Sequence, residues 1–161
     1  MITGMGIRVR RAMPADASAL VRLRAVMYAG MGQTVAEGGR WRVDAEAWFD
    51  RFLRQPDRFA AFVAEADTAV VSAAAGLVID HPPSPANPGS VRGYVFNVAT
   101  EVAFRRRGLG NACLIGLLDW FAADTAVQVI DLTATGDGNG MYRAQGFEET
   151  GYPALRLSMN R

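Results

Sequence analysis

Three consecutive arginines followed by Gly-Leu-Gly, at Arg105, Arg106, Arg107, Gly108, Leu109 and Gly110, are the stretch of this chain most suited to chemistry. They join a strand-like run at 91–100 to a strongly helical run at 107–122. A helix that opens there carries unpaired backbone N–H groups and a partial positive charge, and glycine lets an anion approach those amides closely. Guanidinium groups alongside can pair with phosphate oxygens in a bidentate way. The arrangement reads as a pyrophosphate cradle. It is not a P-loop, because no Lys-Ser/Thr follows the glycines, and Gly108-Leu109-Gly110-Asn111-Ala112-Cys113 lacks the third glycine of the dinucleotide fingerprint. The plain alternative is a strand–helix turn whose glycines only permit the bend, with at least one arginine on a solvated face.

The elements that must hold this loop follow from periodicity. Ile7 and Val9 alternate with Arg8 and Arg10 as in a strand with one covered face. Pro14-Ala15-Asp16 opens a helix that runs to Gly30 or Gly32, and a second helix spans 44–53, ending before Gln55-Pro56. Two runs of small and β-branched apolar residues, 58–66 and 69–80, flank Ala66-Asp67-Thr68 and read as an antiparallel hairpin. Four of the seven prolines fall within 81–90, which is therefore an exposed loop. Strands are expected at 91–100 and 127–134, a short helix at 140–145, and two short strands at 147–159 around Tyr152-Pro153. The 161 residues form one domain, 1–161, with a mixed sheet and helices on its faces.

Arg105-x-x-Gly108-x-Gly110 at a strand-to-helix junction resembles the acetyl-coenzyme A motif (Arg/Gln-x-x-Gly-x-Gly/Ala) of the GNAT superfamily of N-acetyltransferases. Met141-Tyr142-Arg143-Ala144-Gln145-Gly146-Phe147 resembles the same superfamily's late helix, aliphatic-Tyr-x-x-x-Gly-Phe. The element order agrees as well, so the resemblance covers most of the chain. It implies an α/β fold with a mostly antiparallel mixed sheet, splayed open between the strands at 94–100 and 127–134. Acetyl-CoA would lie in that gap, its pantetheine on the backbone of Val98, Ala99 and Thr100. Its pyrophosphate would rest on Arg106, Arg107, Gly108, Leu109, Gly110 and Asn111, with Arg105 opening the motif. The implied reaction moves an acetyl group to a primary amine by direct attack in a ternary complex. Thr135 stands where the family often has an asparagine, which leaves a cofactor contact from it or from Asn139 open.

That reaction needs two proton movements. An ammonium with a reference pKa near 10 must lose a proton before it attacks, and a thiolate near 8.5 leaves better if it is protonated. By resemblance Tyr142 is the acid. Asp131 is the first candidate base, with Glu101, Glu37, His81 and a water relay as alternatives. Each residue also has a structural reading: Tyr142 as a core tyrosine, Asp131 as a solvated or capping acid, Cys113 as a small buried hydrophobe. Trp41, Trp48 and Phe49 are either core or the lining of an acceptor pocket.

Composition narrows the partners. With 17 basic and 16 acidic groups the net charge is +1, which argues against nucleic acid as a partner. No apolar run reaches the 18 residues of a membrane span, and MITGMGIRVRR lacks the apolar run of a secretory signal. A single cysteine and a single histidine exclude an intrachain disulfide and predict no metal site. The expectation is a cytoplasmic enzyme acting on a small-molecule amine or a protein N-terminus, without membrane contact. A homodimer paired through exposed strands is compatible with this architecture. Acids at Glu37, Asp44, Glu46 and Asp50 hint at a cationic acceptor. A non-catalytic acyl-CoA sensor is the alternative from a different class, and an interaction domain with a vestigial pocket is a third.

Overall fold

The computed structural model describes residues 6–161; residues 1–5, part of the stretch read above as lacking a secretory signal, lie outside them. Five strands line up in sequence order: β1 (Ile7–Arg11), β2 (Phe59–Ala66), β3 (Ala69–Asp80), β4 (Val91–Thr100) and β5 (Ile130–Asp131). The first four are antiparallel, whereas β5 runs parallel to β4 and so requires a crossover. Helix α3 (Leu109–Asp124) supplies it and packs on one face through Leu114, Leu117 and Phe121. Helices α1 (Ala17–Gly30) and α2 (Arg40–Leu53) cover the other face through Leu20, Leu23 and Phe49. A short α4 (Asn139–Ala144) follows β5. With both faces covered, β2 and β3 are buried almost continuously, which is why they read as unbroken apolar runs. The expected mixed sheet with helices on both faces is the observed architecture.

Glycines set how closely α3 approaches the sheet. A Cβ at Gly76 would lie 2.7 Å from Phe121 Cζ and 2.8 Å from Leu117 Cδ1, inside van der Waals contact. Gly76→Ala is expected to destabilise the fold by about 1–3 kcal/mol through overpacking. A denaturation midpoint equal to that of the parent would show that α3 can lift off the sheet freely.

On β1 the expected pattern is inverted. Ile7 and Val9 are partly exposed, while Arg10 is the enclosed side chain. Its guanidinium donates to Asp16 Oδ2 at 2.8 Å and Oδ1 at 2.9 Å, and its Nε donates to Glu65 Oε2 at 2.8 Å. Asp16 also accepts the Met13 N–H at 2.7 Å, tying the start of α1 to the sheet. Burial alone would raise the Asp16 carboxyl, but the bonds from Arg10 and Met13 and the Arg10 charge outweigh it and hold it below the usual range. A carboxyl depressed on folding stabilises the protein above its unfolded pKa, and that contribution is lost as pH falls through the folded value. Asp16→Asn is therefore expected to lower stability at pH 7 by about 2–3 kcal/mol and to flatten the acid limb of the stability–pH curve below about pH 4. An unchanged acid limb in a pH series of chemical denaturation curves would refute this.

Two expectations are corrected. The strand expected at 127–134 is only Ile130–Asp131. The two strands expected at 147–159 are absent, and 148–161 is exposed. Gly151 at φ +77° and Pro153, which lacks an N–H, turn this tail out of pairing geometry. The shortness of β5 has its cause in β4. Ala73 pairs with Ala99 and Ala75 with Phe96, so Asn97 and Val98 together face Ala74. Asn97 sits at φ +54°, a conformation that asparagine tolerates better than most residues. Such a bulge bends its strand, and β4 pairs with β5 only at Gly93 and Tyr94 before the two separate.

Candidate active site

Beyond Tyr94 the separation of β4 from β5 opens a cavity of about 850 Å³. One wall is β4 itself, 94–100, whose edge toward β5 has no strand partner past Tyr94. The loop 133–138 with Met141 and Tyr142 forms the opposite wall, and the last turns of α1 close the third side. Val98, Ala99 and Thr100, the stretch expected to pair with pantetheine, all line it. Ser72 anchors this stretch from β3: its Oγ donates to Ala99 O at 3.1 Å and lies 2.7 Å from Thr100 Oγ1.

At one end the chain leaves β4 and enters α3. Arg106 at φ +61° and Gly108 at φ +75° both adopt left-handed backbone, which turns successive amides toward one side. The first closed helical bond runs from Ala112 N–H to Gly108 O at 3.0 Å, so Leu109, Gly110 and Asn111 keep N–H groups with no backbone acceptor. Gly110 faces the cavity, and a Cβ there would lie 3.4 Å from Thr100 Oγ1 and 3.8 Å from Met141 Sδ. The three arginines diverge. Arg105 and Arg106 line the cavity, and Arg105 Nε donates to Thr100 O at 3.2 Å. Arg107 instead lies over the Phe104 ring and donates to Ala103 O at 3.4 Å, so it is the solvated member. Leu109 is buried in the core, and Asn111 Oδ1 accepts from Gln145 Nε2 at 2.9 Å, bracing α3 against the end of α4. Open amides and two cationic side chains around a gap of this size fit the pyrophosphate and pantetheine of a coenzyme A thioester.

Tyr142 reaches the same cavity from α4. Its ring meets Phe147 edge-on, and Gly138 is small because a Cβ there would lie 2.9 Å from Tyr142 Cε2. Burial pushes the phenol above its ordinary value, with no hydrogen bond or charge to offset it. A second cavity of about 500 Å³, between β5 and 147–153, also touches Tyr142.

The base candidates are not brought to the larger cavity. Asp131 borders only the smaller one and accepts from Arg92 Nη1 at 2.8 Å. Glu101 is paired with Arg22, Glu37 is exposed, and His81 Nδ1 lies 2.8 Å from Pro82 O on the proline loop. Asp44 and Asp50 pair with Arg40 and Arg54 on α2. Thr135 lines the larger cavity and Asn139 the smaller. Cys113 is buried under the sheet with its thiol pushed up to about 11 by burial, an inert group. Trp48 meets Phe96 edge-on and Phe49 stacks against it, and of this aromatic group only Phe96 and Tyr94 reach the cavity.

Several cavity residues escaped the sequence reading: Arg24, Tyr28, Tyr94, Asn97, Asp137 and Arg156. A lone asparagine inside Val-Phe-Asn-Val was the one local signal, since it marks a bulge in an apolar strand. Arg24 has no such signal, because a basic residue on an amphipathic helix reads as solvated. Among the described residues no group of three His, Cys, Asp or Glu is placed to hold a metal ion, and no helix is long and apolar enough to cross a membrane.

A GCN5-related N-acetyltransferase from Ralstonia eutropha JMP134 superposes with a TM-score of 0.82 at 24% identity, over 94% of this chain and 99% of that one. A protein from Clostridium acetobutylicum described as a predicted acetyltransferase, solved with acetyl-CoA, gives 0.82 at 25% identity over 95% and 96%. The aminoglycoside N-acetyltransferase AAC(6')-Iy, in complex with CoA, gives 0.73 at 17% over 98% of each chain. No curated protein matches the sequence. The sequence profile of the Acetyltransferase (GNAT) family matches residues 29–147, the span from the end of α1 through α4 that builds most of the cavity. The chain belongs to the GNAT family of acyl-CoA-dependent acetyltransferases.

Proposed function

We propose that this protein transfers the acetyl group of acetyl-CoA to a primary amine, by direct attack while both substrates are bound. The observation that carries the reading is the placement of Gly110 at the open start of α3, two arginines and Tyr142 around one cavity. Acetyl-CoA supplies the activated acyl group. The amides at 109–111 with Arg105 and Arg106 hold its diphosphate, and the unpaired edge of Val98, Ala99 and Thr100 aligns its arm. A backbone N–H of that edge polarises the thioester carbonyl. Tyr142 is protonated at neutral pH and donates toward the sulfur as it departs. No buried carboxylate lines the cavity; Asp137, its one acid among the described residues, is exposed, so the amine's proton leaves through water. The reading assigns the enzyme to the cytoplasm, where its cosubstrate is found.

The missing carboxylate favours a second reading, a non-catalytic acyl-CoA sensor. Thiol release from acetyl-CoA with a panel of amines, measured beside calorimetric coenzyme A binding, separates the two. Amine-dependent release supports transfer. Binding without release from any amine supports the sensor, and absence of binding removes both.

A further inference from the structure

The cavity lining includes a cation on α1 that the proposed diphosphate site does not use. Arg24, on α1, lines the cavity and forms no ion pair with any acid among the described residues. Neutral groups hold its guanidinium. Nη1 donates to Asn97 Oδ1 at 3.3 Å, Nη2 donates to Tyr28 Oη at 2.8 Å, and the group stacks 5.0 Å from the centre of the Tyr28 ring. Asn97 is buried and itself fixed, its Nδ2 donating to Leu20 O at 3.1 Å. The bulge that opens the sheet thus also presents a buried amide to orient Arg24. Asn97 precedes Val98, so the guanidinium lies beside the part of β4 where the proposed function seats the thioester. Arg105 neighbours Gly30, six residues further along α1, or roughly 9 Å by helical rise. Arg24 and the Arg105 contact at Gly30 therefore belong to different turns of α1.

Resting on the acetyltransferase reading, we propose that Arg24 is the recognition site for an anionic group on the acceptor, and that the acceptor is an α-amino carboxylate with an apolar side chain. Three observations converge on this class. An arginine with no acid partner in a recess is matched by a carboxylate, which it can bind with two parallel hydrogen bonds. Within the lining, Met27, Met31, Tyr94 and Phe96 offer apolar surface that suits an apolar side chain. The acids read from sequence as a hint of a cationic acceptor lie outside the cavity, on or near α2. A cation beside the substrate also disfavours its ammonium form, so Arg24 lowers the pKa of the amine it anchors. That effect assists deprotonation in a cavity without a buried base.

The test compares L-methionine and L-phenylalanine with their carboxamides. Each is titrated by calorimetry into the protein saturated with coenzyme A, and each is assayed for thiol release from acetyl-CoA. The free acids are expected to bind at least about tenfold more tightly than the amides, and Arg24→Gln to abolish that preference while leaving coenzyme A affinity unchanged. Equal binding of acid and amide by the parent protein overturns the proposal without recourse to any variant. So does an Arg24→Gln protein that keeps the preference or loses coenzyme A instead. Acid-selective binding with no thiol release from these or from any amine of the panel overturns the acetyltransferase reading and leaves the anion site standing.

Discussion

Tyr142→Phe is expected to lower kcat by about 100-fold, with coenzyme A affinity unchanged, because general acid assistance of this kind contributes about 10²- to 10⁴-fold. The lower end of that range follows from the environment of the phenol. Its ordinary value near 10 is raised further by burial, while a departing coenzyme thiolate sits near 8.5. Full proton transfer even to the departed thiolate would thus be uphill by at least about 2 kcal/mol. Tyr142 is better suited to a hydrogen bond that strengthens as charge builds on sulfur, and losing one such bond corresponds to about 2–3 kcal/mol of barrier. The sign of the pH dependence follows. A raised phenol stays protonated through neutral and mildly alkaline pH, so it contributes no falling limb below about pH 10. The rate should climb with pH as the acceptor amine loses its proton. A Tyr142→Phe protein with parental kcat, or a falling limb near pH 8 that the variant removes, would sink this role.

Arg106→Gly is expected to weaken coenzyme A binding by about 10- to 100-fold and yet leave the melting temperature unchanged or higher. The two effects have separate origins in one residue. A charged hydrogen bond to phosphate contributes about 1.5–3 kcal/mol, which sets the loss of affinity. Arg106 lies in the cavity with no acidic partner among the described residues, so no internal ion pair is lost with it. Its φ of +61° is a left-handed conformation that costs an ordinary L-residue about 1–2 kcal/mol. Glycine removes that strain and returns part of the gain as backbone entropy, about 0.5–1 kcal/mol. A residue retained in a strained conformation is explained if its side chain serves binding. Calorimetry and thermal melts on the same preparation decide the matter. Parental affinity, or a clear fall in melting temperature, would show that Arg106 supports the turn and not the ligand.

Local regularities carried far in the sequence because they are fixed by short-range forces. The Arg105-x-x-Gly108-x-Gly110 turn was legible because left-handed backbone and open amides need glycine at a set spacing, and Gly108 does adopt φ +75°. The hairpin around Asp67, the helix across 109–124 and the Tyr142 helix were legible through apolar periodicity and turn chemistry. Side-chain partnerships across distant elements were not. Nothing in the local pattern of β1 shows that Arg10 is enclosed, because its partners Asp16 and Glu65 meet it only once β1, β2 and the start of α1 are assembled. The same holds for Asp131, whose position on β5 was close to expectation but whose carboxylate is claimed by Arg92.

By itself, then, the order of residues determined the family, the mixed sheet and the glycine turn between β4 and α3, which rest on short motifs and on periodic burial. Only the tertiary structure decided how the sheet opens. The bulge at Asn97 parts β4 from β5, and that bend opens the cavity, leaves β5 short and sets the Asn97 amide against the Arg24 guanidinium of α1. Cavity charge is a sum over side chains from four separate elements, and no window of sequence contains it.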